Sequence, residues 1–254
     1  MYFGAEHLAL ANQAVRETFG QCSIAWQTIP HWDTGDPGQI SVPNGILATP
    51  NLLTVLTKQQ PFELTVAEAI APTPDALLTG VITATKDLAQ IVDDDVLPQL
   101  YTKAAKSITT ALTPQPLVDS LLDARADVEN AGYRAPSCLV TNTEGLKKLN
   151  HLVSGVSILP QLLVAANINS LYRSQQLNPP DTATGLVLIG RRRRIPQGAA
   201  ADASPGEEPV DLAVSLLPSL EVDGETSTGK IGLTARIRYA TRITDATGLV
   251  AIHP

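Results

Sequence analysis

The stretch HWDTGDPG, residues 31–38, brings together residue types from which hydrolytic and metal sites are built. His31 and Asp33 could work as a general acid–base pair, and with Asp36 they could offer imidazole and carboxylate ligands to a metal ion. The same spacing is typical of a turn, because aspartate next to glycine or proline folds back onto the backbone. We interpret the stretch as a structural turn, with Trp32 at its tip as an anchor for a protein interface.

Three adjacent aspartates, Asp93, Asp94 and Asp95, form a second cluster that could bind Mg²⁺ or Ca²⁺. Neighbouring side chains on a helix point about 100° apart, so the three cannot converge on one ion, and a helix junction or cap is the expected role. No HExxH, CxxC, EF-hand, GxSxG, P-loop or GxGxxG pattern occurs. The sequence therefore predicts no enzyme, no catalytic residue, no metal site and no cofactor, with a small hydrolase using His31 and Asp33 as the alternative of a different class.

Arginine is concentrated in two places that could contact phosphates or the carboxylates of a neighbouring subunit. One is RRRR at 191–194, where adjacent side chains on a strand face opposite ways, so that at most two share a face. A solvated strand end, paired with Glu207 and Glu208, is the favoured interpretation there. The other is the polar face of a long C-terminal strand, for which water and enclosed nucleic acid both stay open as the facing medium. The candidate basic residues are Arg191, Arg192, Arg193, Arg194, Arg236, Arg238 and Arg242.

The composition points towards assembly. Hydrophobic residues make up 44% of the 254 residues and charged residues only 17%, so other copies of the chain are expected to cover part of the surface. A net charge of −7 argues against general attraction to nucleic acid or to an anionic membrane. Cys22 and Cys138 fit neither a disulfide framework nor a metal knuckle. With no signal peptide and no run of about 18–20 apolar residues, a soluble cytoplasmic protein is expected.

The N-terminal third is predicted to contain one helix and two extended segments. Residues 5–19 place apolar side chains at helical spacing. The rest of 1–46 is interpreted as extended and proline-punctuated, and hence as an arm that is stable only when it lies across another surface. Residues 47–73 are predicted to be a second extended segment, with a strand where Phe62, Leu64 and Val66 alternate with smaller or polar residues.

Helices and strands are predicted for the remaining sequence. Asp75 is expected to cap a helix with an apolar stripe, and a second helical run follows it. A helix at 118–131, the strand APSCLVT and a helix capped by Thr141 or Asn142 come next. GLVLIG, DLAVSLL and GLVAI are predicted strands, and KIGLTARIRYATRITD alternates strictly, which predicts a long strand with one buried face. The order indicates an α+β fold.

Two segments carry a resemblance to a known fold. PLVDSLLDARADVENAGYRAPSCLVTNTEGLKKLNHL resembles the helix, the strand with a P-x-x-LV-x-N-T pattern and the helix of tailed-phage major capsid proteins and bacterial encapsulins. DLAVSLLPSLEVDG followed by ARIRYATRITDATGLVAI resembles their closing strands. The resemblance covers roughly residues 62 to 252 and consists of hydrophobic patterns, without invariant residues.

The resemblance implies a shell subunit with an N-terminal arm at 1–46 and an extended loop at 47–73. Residues 74–116 and 186–254 would form a peripheral domain with a spine helix and the long C-terminal strands. Residues 117–185 would form an axial domain near the symmetry axes.

The function implied by the resemblance is a structural one. Sixty copies, or a multiple, would close into an icosahedral shell that encloses double-stranded phage DNA with weak, non-specific contact. Scaffolding, portal or cement proteins are further implied partners, and the location would be the virion, after assembly in the host cytoplasm. The alternative is an encapsulin-type nanocompartment that encloses a cargo enzyme, in which residues 5–19 would correspond to the N-terminal helix that helps to form the cargo site.

On this interpretation HWDTGDPG contacts a neighbouring subunit, and the arginines of both groups face the interior of the shell or a partner. The expected subunit-interface residues are Trp26, His31, Trp32, Asp33, Asp36, Lys58 and Phe62.

Overall fold

The computed structural model describes residues 3–177, 184–192 and 207–254. Within them the helices are α1 (Ala5–Cys22), α2 (Ile24–Thr28), α3 (Val66–Ala69), α4 (Asp75–Thr102), α5 (Pro114–Asn130), α6 (Thr143–Leu149) and α7 (Leu159–Ala165). The strands are β1 (His31–Asp33), β2 (Ser41–Pro43), β3 (Leu52–Thr54), β4 (Leu56–Thr65), β5 (Lys106–Thr109), β6 (Ala135–Thr141), β7 (Leu152–Val153), β8 (Val156–Ser157), β9 (Ile168–Arg173), β10 (Leu186–Arg191), β11 (Val210–Glu225), β12 (Lys230–Ile243) and β13 (Leu249–His253). The mixed α+β class is as predicted. No helix in these ranges is both long and apolar enough to cross a membrane.

A four-stranded sheet with the order β1-β11-β12-β4 forms one half of the molecule. The strict alternation in KIGLTARIRYATRITD gives β12, which is antiparallel to both β11 and β4. Its residues Ile231, Leu233, Ala235, Ile237 and Tyr239 are fully buried on one face, where they pack with α4 and α1. The prediction of a long strand with a buried face is confirmed.

A five-stranded sheet with the order β5-β13-β10-β6-β9 forms the other half. The predicted helix–strand–helix unit is present as α5, β6 and α6. Gly132 ends the first helix region with a φ of 97°, and the Asn142 side chain accepts a hydrogen bond from the Gly145 amide at 2.9 Å to cap α6. β10 pairs with both β6 and β13 in this sheet, a partnership that period-two patterns do not reveal. The division into peripheral and axial domains stays a prediction.

Helix α4 is continuous for 28 residues, whereas two helical runs separated by the aspartates were predicted. The three carboxylates point in different directions, as helical spacing requires. Asp93 is buried against α2, Asp94 is exposed, and Asp95 bonds to Lys58 and to the Tyr239 hydroxyl at 3.1 and 2.8 Å. The aspartates therefore fix α4 to neighbouring elements without interrupting it.

The N-terminal segment differs from the predicted extended arm. α1 packs on α4 and β11, and Phe19, Ala25 and Ile29 are fully buried in the main core. Residues 24–28, predicted as extended, form α2, because Ser23 caps it and Asp93 accepts hydrogen bonds from the Ile24 and Ala25 amides at 2.8 and 2.9 Å. The capping carboxylate lies about seventy residues away in sequence, so local patterns could not reveal this helix.

The segment 47–73, predicted as an extended loop, is largely incorporated into the body. β4 pairs with β12 from Leu56 to Thr65, and α3 follows immediately. Within this segment, residues 47–51 before β3 and residues 70–73 after α3 remain loops.

Candidate functional site

The stretch HWDTGDPG is a strand followed by two side-chain-capped turns. His31, Trp32 and Asp33 pair in parallel with β11. The Asp33 carboxylate accepts from the Gly35 amide at 2.8 Å, and the Asp36 carboxylate accepts from the Gly38 amide at 2.8 Å. Both aspartates hold the backbone, which is the structural role that the sequence favoured.

His31 is placed for packing. Its ring stacks on the Trp26 indole with the centroids 3.6 Å apart, and Trp26 in turn meets Phe19 edge-on at 5.4 Å. Burial lowers the pKa of His31 to about 4, so the imidazole is neutral near neutral pH. Within the described ranges, no group of three His, Cys, Asp or Glu side chains is arranged to hold a metal. The hydrolase alternative gains no support from this geometry.

Trp32 is not the exposed tip that the sequence suggested. Its indole nitrogen donates to Asp211 at 3.1 Å, and the Arg242 guanidinium lies 5.0 Å from the ring centroid. The side chain packs against a small apolar cluster that includes Val42 and Val55. These contacts fix Trp32 within the sheet, because the strand that carries it pairs with β11. A contact of Trp32 with another subunit stays a prediction.

Arg242 and Arg238, predicted to face the interior or a partner, attach residues 37–43 to the sheet. Arg242 is 6% exposed and forms a two-point ion pair with Asp211. It also donates to the carbonyl of Pro43 at 3.2 Å. Arg238 donates to the carbonyls of Pro37 and Gln39. These two arginines face carbonyl groups of their own chain.

The other candidate arginines are engaged in the same way. Arg191 is buried and donates to the carbonyl of Thr28 at 2.6 Å, while Arg192 pairs with Asp245 at 3.0 Å. Arg236 pairs with Glu221 at a partly exposed position. Arg193 and Arg194 lie outside the described residues. The five described candidate arginines therefore all bond within the chain, although Arg192 and Arg236 remain partly exposed, and sequence alone does not reveal these tertiary partners. Contact of these residues with a partner or with nucleic acid stays a prediction.

The last two predicted interface residues contact α4. Lys58 forms its ion pair with Asp95, and the Phe62 ring lies where a Cβ on Gly80 would come within 2.8 Å of it. Gly80 thus allows β4 to approach α4 closely. Both residues are half-buried, so neither presents a large free surface.

Exposed apolar side chains instead mark two hairpins. In the first, which we call the β2–β3 hairpin (residues 40–54), Ile40, Leu47 and Leu52 are exposed, Leu47 by 98%. Its loop is ordered by Asn44, whose side chain donates to the Thr49 carbonyl at 2.9 Å and accepts from the Ile46 and Asn51 amides at 3.2 Å. The loop therefore presents a fixed apolar tip to its surroundings.

The second surface lies between α6 and α7 in the chain and forms a two-stranded sheet of its own. The β7–β8 hairpin (residues 152–157) turns through Ser154 and Gly155, both with positive φ, as two-residue hairpins require. Leu152, Val153 and Val156 are exposed on it, and Val164 on α7 is exposed by 80%. Exposed aliphatic groups clustered on two hairpins are unusual for a surface in water, and such patches indicate protein contacts.

Comparison with solved structures identifies the fold. A virus-like particle from Pyrococcus furiosus has a TM-score of 0.71 at 13% identity, with 98% of this chain and 100% of that chain covered. The capsid of the myovirus phage XM1 has a TM-score of 0.59 at 12% identity, with 91% of each chain covered. The holo-SrpI encapsulin complex from Synechococcus elongatus has a TM-score of 0.55 at 10% identity, covering 91% of this chain and 87% of that one. No protein-family model matches the sequence, and a search of curated proteins finds no match.

The chain thus has the fold shared by tailed-phage capsid and encapsulin shells, as the two resembling segments predicted. Sequence reasoning did not single out the exposed apolar side chains of either hairpin. The signal for the first was present as Asn44-Gly45 beside Ile46 and Leu47, and it was interpreted only as a turn.

Proposed function

We propose that this chain is a shell protein, whose copies assemble into a closed icosahedral particle. The observation that carries the proposal is the pair of exposed apolar hairpins, β2–β3 and β7–β8, on a fold that spans nearly the whole chain. An exposed leucine or valine gains about 1.5–3 kcal/mol when a neighbour buries it. Every copy carries both hairpins, so the free energy gained by burying them recurs at each contact around the particle. Self-association is the simplest way to bury both hairpins.

We further propose that the shell encloses double-stranded phage DNA. A net charge of −7 and the ion pairs of Arg192, Arg236 and Arg242 with carboxylates of the same chain suit a container that confines DNA without binding it tightly. Residues 44–51 would overlap a neighbour, the four-stranded sheet with α4 would be the peripheral part, and the β7–β8 hairpin would lie in the axial part.

One observation favours the second candidate, an encapsulin-type shell that encloses a protein cargo. α1 packs on β11 of its own chain, and beside it lies a pocket of about 270 Å³ lined by Arg16, Asp33, Pro37 and Leu217 among others. Encapsulins have an N-terminal helix that helps to form the cargo site, and α1 occupies a corresponding position in this sequence. The enclosed material distinguishes the two candidates.

The experiment is electron microscopy of the native particle after nuclease treatment, followed by extraction of the contents. Closed shells with nuclease-protected DNA would support the capsid, and closed shells with a second protein would support the nanocompartment. The shell proposal would be overturned if the protein stayed a ~27 kDa monomer at high concentration, even when it is co-expressed with its natural partners.

A further inference from the structure

A polar pocket of about 300 Å³ lies where the N-terminal helices meet α4 and the end of β9. Cys22 and Ile24, at the junction of α1 and α2, form one wall. Residues 173–176, at the end of β9 and directly after it, form the opposite wall, and α4 forms the floor. The pocket lies on a different set of residues from the two apolar hairpins and from the cavity beside Arg16.

The floor is one stripe of α4. Lys86, Gln90 and Asp93 follow each other at spacings of four and three residues, so their side chains share a helix face. Across the pocket stand Arg173 and Gln175. The lining therefore has two cations and several amide groups, all of which can donate hydrogen bonds.

The only carboxylate in the lining is already occupied. Asp93 accepts from the Ser23 hydroxyl at 2.7 Å and from the Ile24 and Ala25 amides at 2.8 and 2.9 Å. These bonds direct its oxygens towards Ser23 and the start of α2. Among residues 3–177, 184–192 and 207–254, neither Lys86 nor Arg173 forms an ion pair, and the Arg173 guanidinium donates only to the Thr143 hydroxyl at 3.0 Å.

The walls are held in place before any ligand arrives. The Ser23 hydroxyl caps α2 by accepting from the Trp26 amide at 3.2 Å, which fixes the first wall. On the other side the Ser174 amide donates to the carbonyl of Thr141 at 2.9 Å, and the Ser174 hydroxyl accepts from the Gln176 amide at 3.2 Å. A pocket with fixed walls loses little conformational entropy on binding.

We propose that this pocket binds a small oxyanion, namely a phosphate or carboxylate group of a small molecule, between Lys86 and Arg173. A guanidinium offers two parallel donors to such a group, and an ammonium adds a mobile charge from the other side. Amide side chains at Gln90 and Gln175 complete the donor set. The inference goes beyond the shell proposal and does not depend on what the shell contains.

The test is isothermal titration of the purified assembled protein with inorganic phosphate and, separately, with succinate, at ionic strength held constant with chloride. Saturable binding of at least one anion is expected. Arg173→Gln and Lys86→Gln should each weaken it about tenfold or more, since each removes a charge-assisted hydrogen bond. Gln90→Glu, at an exposed helix position, should abolish binding by placing a negative charge in the pocket.

Lys148→Gln is the matched control, because Lys148 is an exposed lysine on α6 away from the pocket. The Lys148→Gln variant should bind the anion with the same affinity as the unchanged protein. The proposal is overturned if neither anion binds at millimolar concentration, or if Lys148→Gln weakens binding as much as Lys86→Gln does. The second result would show general charge attraction. Neither outcome bears on whether shells form, which microscopy of the same samples records.

Discussion

Asp211 and Arg242 stand directly opposite each other on β11 and β12 and form a buried two-point ion pair. The Nε–Oδ1 and Nη2–Oδ2 distances are 2.7 and 2.8 Å. Oδ1 of Asp211 also accepts a hydrogen bond from the Trp32 indole nitrogen, and the Arg242 guanidinium also donates to the Pro43 carbonyl. One ion pair thus joins β1, the base of the β2–β3 hairpin and the long strands.

Replacing Arg242 with methionine should lower the free energy of unfolding by roughly 3–5 kcal/mol, because it leaves the Asp211 carboxylate buried without its counter-charge. Urea unfolding followed by circular dichroism measures the change. Arg236→Met is the matched control, since its partner Glu221 is partly exposed, and should cost less than about 1 kcal/mol. Equal losses in the two variants would contradict a special role for the buried pair.

Replacing Phe19 with alanine should destabilise the folded chain itself by roughly 3–5 kcal/mol, because the ring is fully buried between α1 and the main core. The urea midpoint of the dissociated subunit reports this. Leu10→Ala, on the exposed side of the same helix, should leave the midpoint nearly unchanged. If α1 were a detachable arm, both variants would unfold like the unchanged protein and only assembly would suffer.

Leu47→Ser and Val156→Ser should each reduce assembly without changing the stability of the subunit, because both side chains are exposed in the isolated chain. Loss of a buried leucine or valine at a contact weakens that contact about tenfold or more. Size-exclusion chromatography and electron microscopy measure the fraction in shells. Thr49→Ser, in the same loop as Leu47, is the control and should assemble normally. Normal assembly of Leu47→Ser and Val156→Ser would remove the hairpins from the contact surface.

The stability of the protein should depend on pH through Asp93. Burial raises the pKa of this carboxyl to about 6 from 3.8, since desolvation outweighs the hydrogen bonds from Ala25, Ile24 and Ser23. The folded state therefore binds the proton more tightly than the unfolded state. The resulting stabilisation is full below the unfolded pKa and is lost as the pH rises through about 6.

Urea titrations at about pH 4.5 and about pH 7.5 compare the protein with Asp93→Asn, which cannot titrate. The stability of the unchanged protein relative to this variant should fall between the two pH values by an amount on the order of a few kcal/mol. Asp94→Asn, at the exposed neighbouring position, should show the same pH dependence as the unchanged protein. A pH-independent difference for Asp93→Asn would mean that the buried carboxyl stays ionised throughout.

Local patterns predicted a large part of the fold. The alternation in β12, the Asn142 cap of α6 and the Gly132 stop after α5 are each determined within a few residues of sequence, and the structure has all three. The α2 helix escaped prediction because Asp93, its capping carboxylate, comes from α4.

The candidate site was harder to predict from the sequence for the same reason. Trp32, Arg238 and Arg242 have side chains typical of interfaces, and nothing near them in sequence indicates that Asp211 and the carbonyls of residues 37–43 satisfy them. Exposure of Leu47 depends likewise on which strands pair around it. Residue type alone separates polar from apolar positions, whereas the surface of the molecule is decided by contacts distant in sequence.

The ordered loop at Asn44 has a consequence for the protein concentration that the proposed assembly requires. A loop already closed by three hydrogen bonds has little freedom left to lose on docking, so less of the contact energy is spent on ordering it. For a closed particle this lowers the critical concentration, the protein level below which free subunits predominate. In the proposed shell, each 1.4 kcal/mol lost per subunit would raise that threshold about tenfold, so a loosened loop would leave folded subunits unassembled at concentrations that otherwise suffice for particles.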